Sequence, residues 1–344
     1  MAEALRFIPF GDSWQMRIDH PYSLFVRDGD LVWSCGQCPL AGDGAVLHPG
    51  DLAGQAEAVI GFIHRHLGEI GADAGALCQL VVYYVATGEH DAALLADRFR
   101  AAFGHGVLVT PVAIPHFYYD GMLIEVDVFA SARPKQRHAA AEGDARLEAV
   151  SAGGLTWVSV TSQEPVPLSL FARTTLDPAR LLSAHWFVTR DDGAVPDALA
   201  TAGSIVLATA GPRVSGVLLF ADGPVESHSA RTASGVALTT RRHGRDVALS
   251  GCVPTAGENL VRETVAIMAA VADALAEASL TFEAVRKATV HYVAGSSADE
   301  LHDNMAVRNR YYRKPGPAST GLPVEGFPRM RGRIAISLFA RQPA

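Results

Sequence analysis

Two acids set two residues apart on an otherwise apolar run are the first candidates for chemistry in this sequence. The run is Leu123–Ala130, Leu-Ile-Glu-Val-Asp-Val-Phe-Ala. Its alternation predicts a β-strand with one covered face, so Glu125 and Asp127 point to the same side. A carboxylate among apolar neighbours costs free energy unless it is hydrogen-bonded, paired or used. An apolar surround also raises a carboxyl pKa, which suits it to exchange a proton with water or substrate.

Other groups carry weaker signals. Cys35-Gly-Gln-Cys38 has the spacing of half a zinc site or a redox pair. No second such pair follows, so no metal is expected. Cys35 is a nucleophile only if a base lowers its pKa; otherwise it is a small polar filler. His116-Phe117-Tyr118-Tyr119-Asp120 precedes the Glu125 strand, and His116 and Tyr118 could line a ring-binding pocket. The alternative is a hairpin tip with half-buried aromatics. Arg329, Arg331 and Arg333 alternate, so on a strand they would share one face and could hold a carboxylate. A solvated strand face is the other reading. No GxGxxG loop is present, and Ser34 and Ser250 lack the strand–turn–helix setting of a nucleophile elbow.

The elements that must position these groups are legible in the pattern. Residues 1–20 read as a lead-in. Tyr22–Arg27 and Leu31–Gln37, around Asp28-Gly29-Asp30, predict a hairpin. Leu52–Ile70 has apolar residues at helical spacing (Ala56, Val59, Ile60, Ile63, Leu67, Ile70) and Gly71 closes it. A strand at Leu77–Ala86, a helix at Asp91–Phe103 and strands at Val112–Tyr118 and Met122–Ala130 complete a ββαβαββ order. That order predicts an α+β layer with helices on one face of a sheet.

The chain has 344 residues, of which 49% are hydrophobic and 19% charged, enough for several compact units. A net charge of −7 argues against a nucleic-acid binder that relies on overall basicity. No run is long and apolar enough to span a membrane, and the start lacks the layout of a secretory signal. Four cysteines are too few for a disulfide framework, and a cytoplasmic location is expected.

The pattern repeats. Residues 58–86 align without gaps on 266–294 at a constant offset of 208, with Leu67/Leu275, Glu69/Glu277 and Tyr84/Tyr292 among the identical pairs. Cys35-Gly36 matches Ser250-Gly251, and Ile124…Phe129-Ala130 matches Ile334…Phe339-Ala340. A fainter copy lies between, where Gly153–Ser159 follows Gly29–Cys35 by 124 residues. Its first helix is missing, and only Asp177–Leu182 could form a short one. The expected division is 1–132, a linker at 133–145, a degenerate unit at 146–225, and 226–344.

Tyr22, the Trp-Ser-Cys-Gly-Gln run ending at Gln37, the Gln55-anchored helix and the Glu125 strand together resemble the RidA/YjgF family. The third copy is similar through Leu249-Ser250-Gly251, Asn309, Gly316-Pro317-Ala318-Ser319 and its closing strand. The resemblance implies chorismate-mutase-like ββαβαββ units. Family members form homotrimers with clefts between subunits, so three copies in one chain imply a pseudo-threefold trimer. The chain would then be a monomer or at most a weak dimer. Well-known members hydrolyse enamines and imines without metal or organic cofactor, so a small, acidic substrate is expected, with no nucleic-acid or membrane partner.

Carried over by this resemblance, the water-holding Glu is Glu125, the Tyr is Tyr22 and the Ser position is Cys35. The substrate Arg position falls on Thr110 and the Asn position on Ala96. In the third copy the counterparts are Ser250, Asn309, Ala237, Ser319 and Ala335; in the middle copy, Ser159 and Leu219. No copy holds the whole set. A carboxylate substrate therefore needs another cation, and Arg308, Arg310, Arg329, Arg331 and Arg333 crowd the third copy. Two alternatives accompany the hydrolase reading. One is a biosynthetic, chorismate-hydrolysing type of enzyme. The other is a binding protein for a small acidic metabolite.

Overall fold

A computed structural model describes residues 5–343 except 12–13, 17, 191–192, 201–202, 256–258 and 294–297. Ala294, which ends the aligned repeat, therefore lies outside the described residues.

The first unit comprises β1 (Arg6–Pro9), β2 (Ser23–Asp28), β3 (Leu31–Ser34), α1 (Leu52–Ile70), β4 (Leu77–Tyr84), α2 (Asp91–Phe103), β5 (Leu108–Ala113) and β6 (Ile124–Ser131). Gly29, at φ 62, makes the β2–β3 turn. Asp51 caps α1 by accepting from the Gly54 amide, and Gly71 ends it in the left-handed region. All six apolar positions picked out on α1 are buried. The third unit repeats this plan: β13 (Glu226–Arg231), β14 (Ala237–His243), β15 (Asp246–Cys252), α4 (Leu260–Glu277), β16 (Val285–Tyr292), α5 (Ala298–Asn309), β17 (Ala318–Pro323) and β18 (Ile334–Arg341).

The middle unit is β7 (Gln136–Glu142), β8 (Ala145–Ala152), β9 (Leu155–Ser162), α3 (Ser169–Ala172), β10 (Leu181–Val188), β11 (Ile205–Leu207) and β12 (Val214–Ala221). Most of residues 133–145, expected as a linker, is strand: β7 pairs antiparallel with β8 from Gln136↔Ser151 to Glu142↔Ala145. Its side chains are mostly exposed, which hides the strand from a pattern-based reading. The short helix expected at Asp177–Leu182 is a single 3-10 turn, Pro178–Arg180.

Units one and three share one sheet, ordered β13-β14-β15-β18-β16-β17-β2-β3-β6-β4-β5 with β1 on β2; the middle unit's sheet runs β11-β10-β12-β9-β8-β7. The two halves of the long sheet meet at a short parallel join, Ala318↔Ser23. The Ser23 hydroxyl supports it by donating to the Gly316 carbonyl at 2.7 Å.

Each unit has its own apolar core, between sheet and helices in units one and three. Two further clusters draw on all three units. One holds Trp33, Trp157 and Phe339; the other holds Tyr83, Phe187 and Leu322. The inward sheet faces therefore bury one another round a common interior, and burial of this apolar surface drives the association. Glu125 and Asp127 lie on that inward face.

β4, β10 and β16 are each eight residues long and follow a 3-10 turn, and each shows the same register shift near its start. This fixes the equivalences. Glu125 pairs with Tyr83, Ser215 with Phe187 and Ala335 with His291. The middle counterpart of Glu125 is therefore Ser215, not Leu219. Likewise Thr110 pairs with Val81 and Thr320 with Thr289. Thr320, not Ser319, is thus the equivalent of Thr110. A one-residue slip on a strand sends the side chain to the other face.

Candidate functional site

Glu125 reaches a cavity between units one and three that encloses about 700 Å³ including its mouth. Four strand or hairpin positions bring its polar groups together: Glu125 from β6, Tyr22 before β2, Cys35 after β3 and Ser319 from β17. A fifth, Arg308, comes from the last turn of α5. The walls are aromatic and apolar, with Phe10, Trp14, Tyr118, Tyr292 and Met305 among them. Helix α5 and the β17 edge of one unit thus close over the β6 face of another.

Burial pushes the Glu125 carboxyl up to about 8, and the neighbouring Asp127 charge adds to the rise. Lys287 and the Cys38 thiol, which donates to the carboxyl, act in the opposite direction. The carboxyl lies against the backbone at Gly36, where an added Cβ would overlap Oε1. Only glycine leaves room for it.

Asp127 has a separate task. Lys287 Nζ donates to it at 2.7 Å, and the Thr320 hydroxyl donates to it at 2.5 Å. Lys287 also donates to the Ser34 carbonyl at 2.8 Å. Strand β16 of unit three thereby neutralises the second acid of β6. One of the two acids is an inter-unit joint and the other is left to the cavity.

Arg308 is 3% exposed, and its Nε donates to Asn304 Oδ1 at 2.7 Å, one helical turn away. Among the described residues it has no carboxylate within ion-pair distance. Among the described residues Trp14 Nε1 is also buried without a hydrogen-bond partner. A buried cation and an unpaired donor in one cavity have the chemistry to take an acceptor-rich, anionic group.

Of the residues singled out in the sequence, Glu125, Tyr22, Cys35, Cys38, Tyr118, Ser319 and Arg308 line this cavity. Burial drives the Cys35 thiol well above its ordinary range, so it stays protonated and fills space rather than attacking. His116 stands behind Tyr118 with ring centroids 5.0 Å apart, and burial lowers its pKa. The strand expected at Val112–Tyr118 is instead β5, Leu108–Ala113, at the sheet edge where Pro111 is tolerated. Residues 116–120 are thereby freed to cover the cavity as a loop.

The remaining candidates lie elsewhere. Thr110 donates to the Ser159 hydroxyl at 2.9 Å, at the boundary of units one and two. Ser250 sits in β15 opposite Ser337 and does not line the cavity. Asn309 donates to the Asp19 carbonyl at 3.3 Å. Arg329, Arg331 and Arg333 precede β18 and do not form an alternating strand face. Arg329 pairs with Asp197 of the middle unit, Arg333 with Glu300, and the Arg331 amide donates to the Pro254 carbonyl. Arg308, which the sequence reading named among the arginines of the third copy but set behind Arg329, Arg331 and Arg333, is the one of these five that lines the cavity. Its signal was the i, i+4 spacing from Asn304 on a helix.

Among the described residues no cluster of three or more metal-ligating side chains occurs, and no helix is long and apolar enough to cross a membrane.

No protein-family model and no curated protein matches the chain. Solved structures do. YEO7_yeast matches at 20% identity over 38% of this chain and all of its own, with a TM-score of 0.33. YyfA from Yersinia pestis, a protein of the conserved Rid family, matches at 19% over 38% of this chain and all of its own, also at 0.33. Rv2704 from Mycobacterium tuberculosis matches at 21% over 38% and all of its own, at 0.31. This chain is thus similar, over little more than a third of its length, to solved structures of Rid or YjgF/YER057c/UK114 proteins.

Proposed function

We propose that the cavity between units one and three is the active site of a cofactor-independent hydrolase. It acts on a small imine or enamine that carries a carboxylate. The observation that supports this most is the pairing of groups in one apolar enclosure: a carboxyl raised to about 8 and a buried guanidinium that has no acid partner among the described residues. Arg308 takes the substrate carboxylate. Glu125, protonated at neutral pH, gives its proton to the imine nitrogen. The resulting carboxylate accepts a proton from water as the water oxygen attacks the imine carbon. The C–N bond then breaks, the carbonyl forms, and ammonia leaves with the protons delivered through Glu125. In sum an imine and water give a ketone and ammonia, and no redox partner is required.

The test is turnover of imines generated in place from amino acids, read as ammonia and keto acid. Glu125→Gln keeps shape but cannot exchange the proton, so turnover should fall by roughly 10²–10⁴. The rate with wild type should decline as pH rises through about 8. Undiminished activity in Glu125→Gln defeats the assignment.

A second reading, a binding protein for the same class of acid, is favoured by the single acid among three equivalent positions: Ser215 and Ala335 stand where Glu125 does. Binding of the keto acid without turnover of any imine would select it.

A further inference from the structure

We infer that the substrate of this site is an aromatic imino or enamino acid whose ring carries an oxygen read by the Trp14 N–H. This rests on the cavity reading above and adds the chemistry of the non-reacting half of the molecule. Trp14 is 1% exposed, lines the cavity, and its Nε1 has no partner among the described residues. Phe10 meets the indole edge to face at 4.7 Å and holds it in place. Both residues lie between β1 and β2, and together with Met16 they form a wall of the site. Tyr118 and Tyr292, one from each unit, lie within 11° of parallel at the same cavity.

The walls that Phe10, Trp14, Tyr118 and Tyr292 supply are aromatic, and a flat ring packs against such faces better than a short aliphatic chain does. A ring would bury them and replace water against aromatic faces. The polar groups divide the labour by charge. Arg308 is a cation suited to carboxylate, whereas an indole N–H is a neutral donor suited to a phenolic or carbonyl oxygen. A site with a buried donor rejects analogues that leave it unpaired.

Isothermal titration of the whole protein with stable keto acids tests this without turnover. The probes are pyruvate, phenylpyruvate, and 3- and 4-hydroxyphenylpyruvate. Phenylpyruvate should bind at least about tenfold tighter than pyruvate, and one of the hydroxylated rings about tenfold tighter again. Trp14→Phe should abolish the second ratio and keep most of the first. Equal affinity for pyruvate and phenylpyruvate overturns the aromatic assignment. No gain from either hydroxyl, or a gain that survives in Trp14→Phe, overturns the role of Trp14. If Trp14→Phe does not fold, the wild-type order of the hydroxylated and plain rings decides. Aromatic preference in binding without hydrolysis of the matching imines would remove the hydrolase reading and leave this inference standing. Hydrolysis of aliphatic imines with no aromatic preference would do the reverse.

Discussion

A carboxyl raised from 4.5 to about 8 keeps its proton at neutral pH in the folded chain and loses it in the unfolded chain. The sign of its effect on stability follows. Between these two values the native state binds more protons than the unfolded state, so stability falls as pH rises. Below about 4.5 the contribution is complete, and it is lost through about 8, with a size on the order of 5 kcal/mol. Glu125→Gln has no proton to lose, so its urea midpoint should exceed that of wild type above about pH 8, and the difference should shrink towards acid. Parallel midpoint curves for the two proteins would remove the buried-acid account. At the same contact, Gly36→Ala places a methyl where Oε1 lies, so the carboxyl must leave its pocket. Turnover should drop about as far as in Glu125→Gln, and a crystal structure should show Glu125 in a different rotamer.

Helices set how well these side chains are held. The Arg308 guanidinium is fixed by Asn304 on the preceding turn of α5, so the cation is presented by a helix rather than a loop. Arg308→Gln removes charge but keeps a donor, and its main effect should be weaker keto-acid binding and a raised KM, with kcat lowered less. Unchanged affinity would mean that the anion is held elsewhere. Helix α1 offers a control far from the chemistry. Asp51 accepts the Gly54 amide at 3.0 Å, and Asp51→Ala should cost about 1 kcal/mol in denaturant melts while leaving KM alone.

The three units depend on one another through buried polar joints as well as shared apolar clusters. Lys287 and Asp127 are 5% and 1% exposed, belong to different units, and both act on the Glu125 carboxyl through their charges. Lys287→Met strands a buried carboxylate and should destabilise the chain by about 3–5 kcal/mol, read as a lower calorimetric midpoint. Because Lys287 also lowers the Glu125 pKa, the activity that remains should persist to higher pH. A chain that already supplies three packed units has no need of two partner copies. Light scattering should therefore give the monomer mass of 36.4 kDa, and a stable trimer would refute this.

The ββαβαββ order and the long helices α1 and α4 were legible in sequence because helical and strand periodicity is a local property, repeated in the two aligned copies. Strand β7 was not, since its mostly exposed residues carry no hydrophobic alternation. The roles of Glu125 and Asp127 look alike along the chain, and only the approach of Lys287 and Thr320 from another unit separates them. The same holds for the cation. Arg329, Arg331 and Arg333 had the spacing of a binding face, yet they precede the strand, and Arg329 and Arg333 are spent on Asp197 and Glu300. Sequence thus determined most of the elements and placed the two acids on one strand face. The tertiary structure alone decided which charges meet, because a buried charge is defined by what packs over it, and here that comes from a unit 160 residues away in the chain.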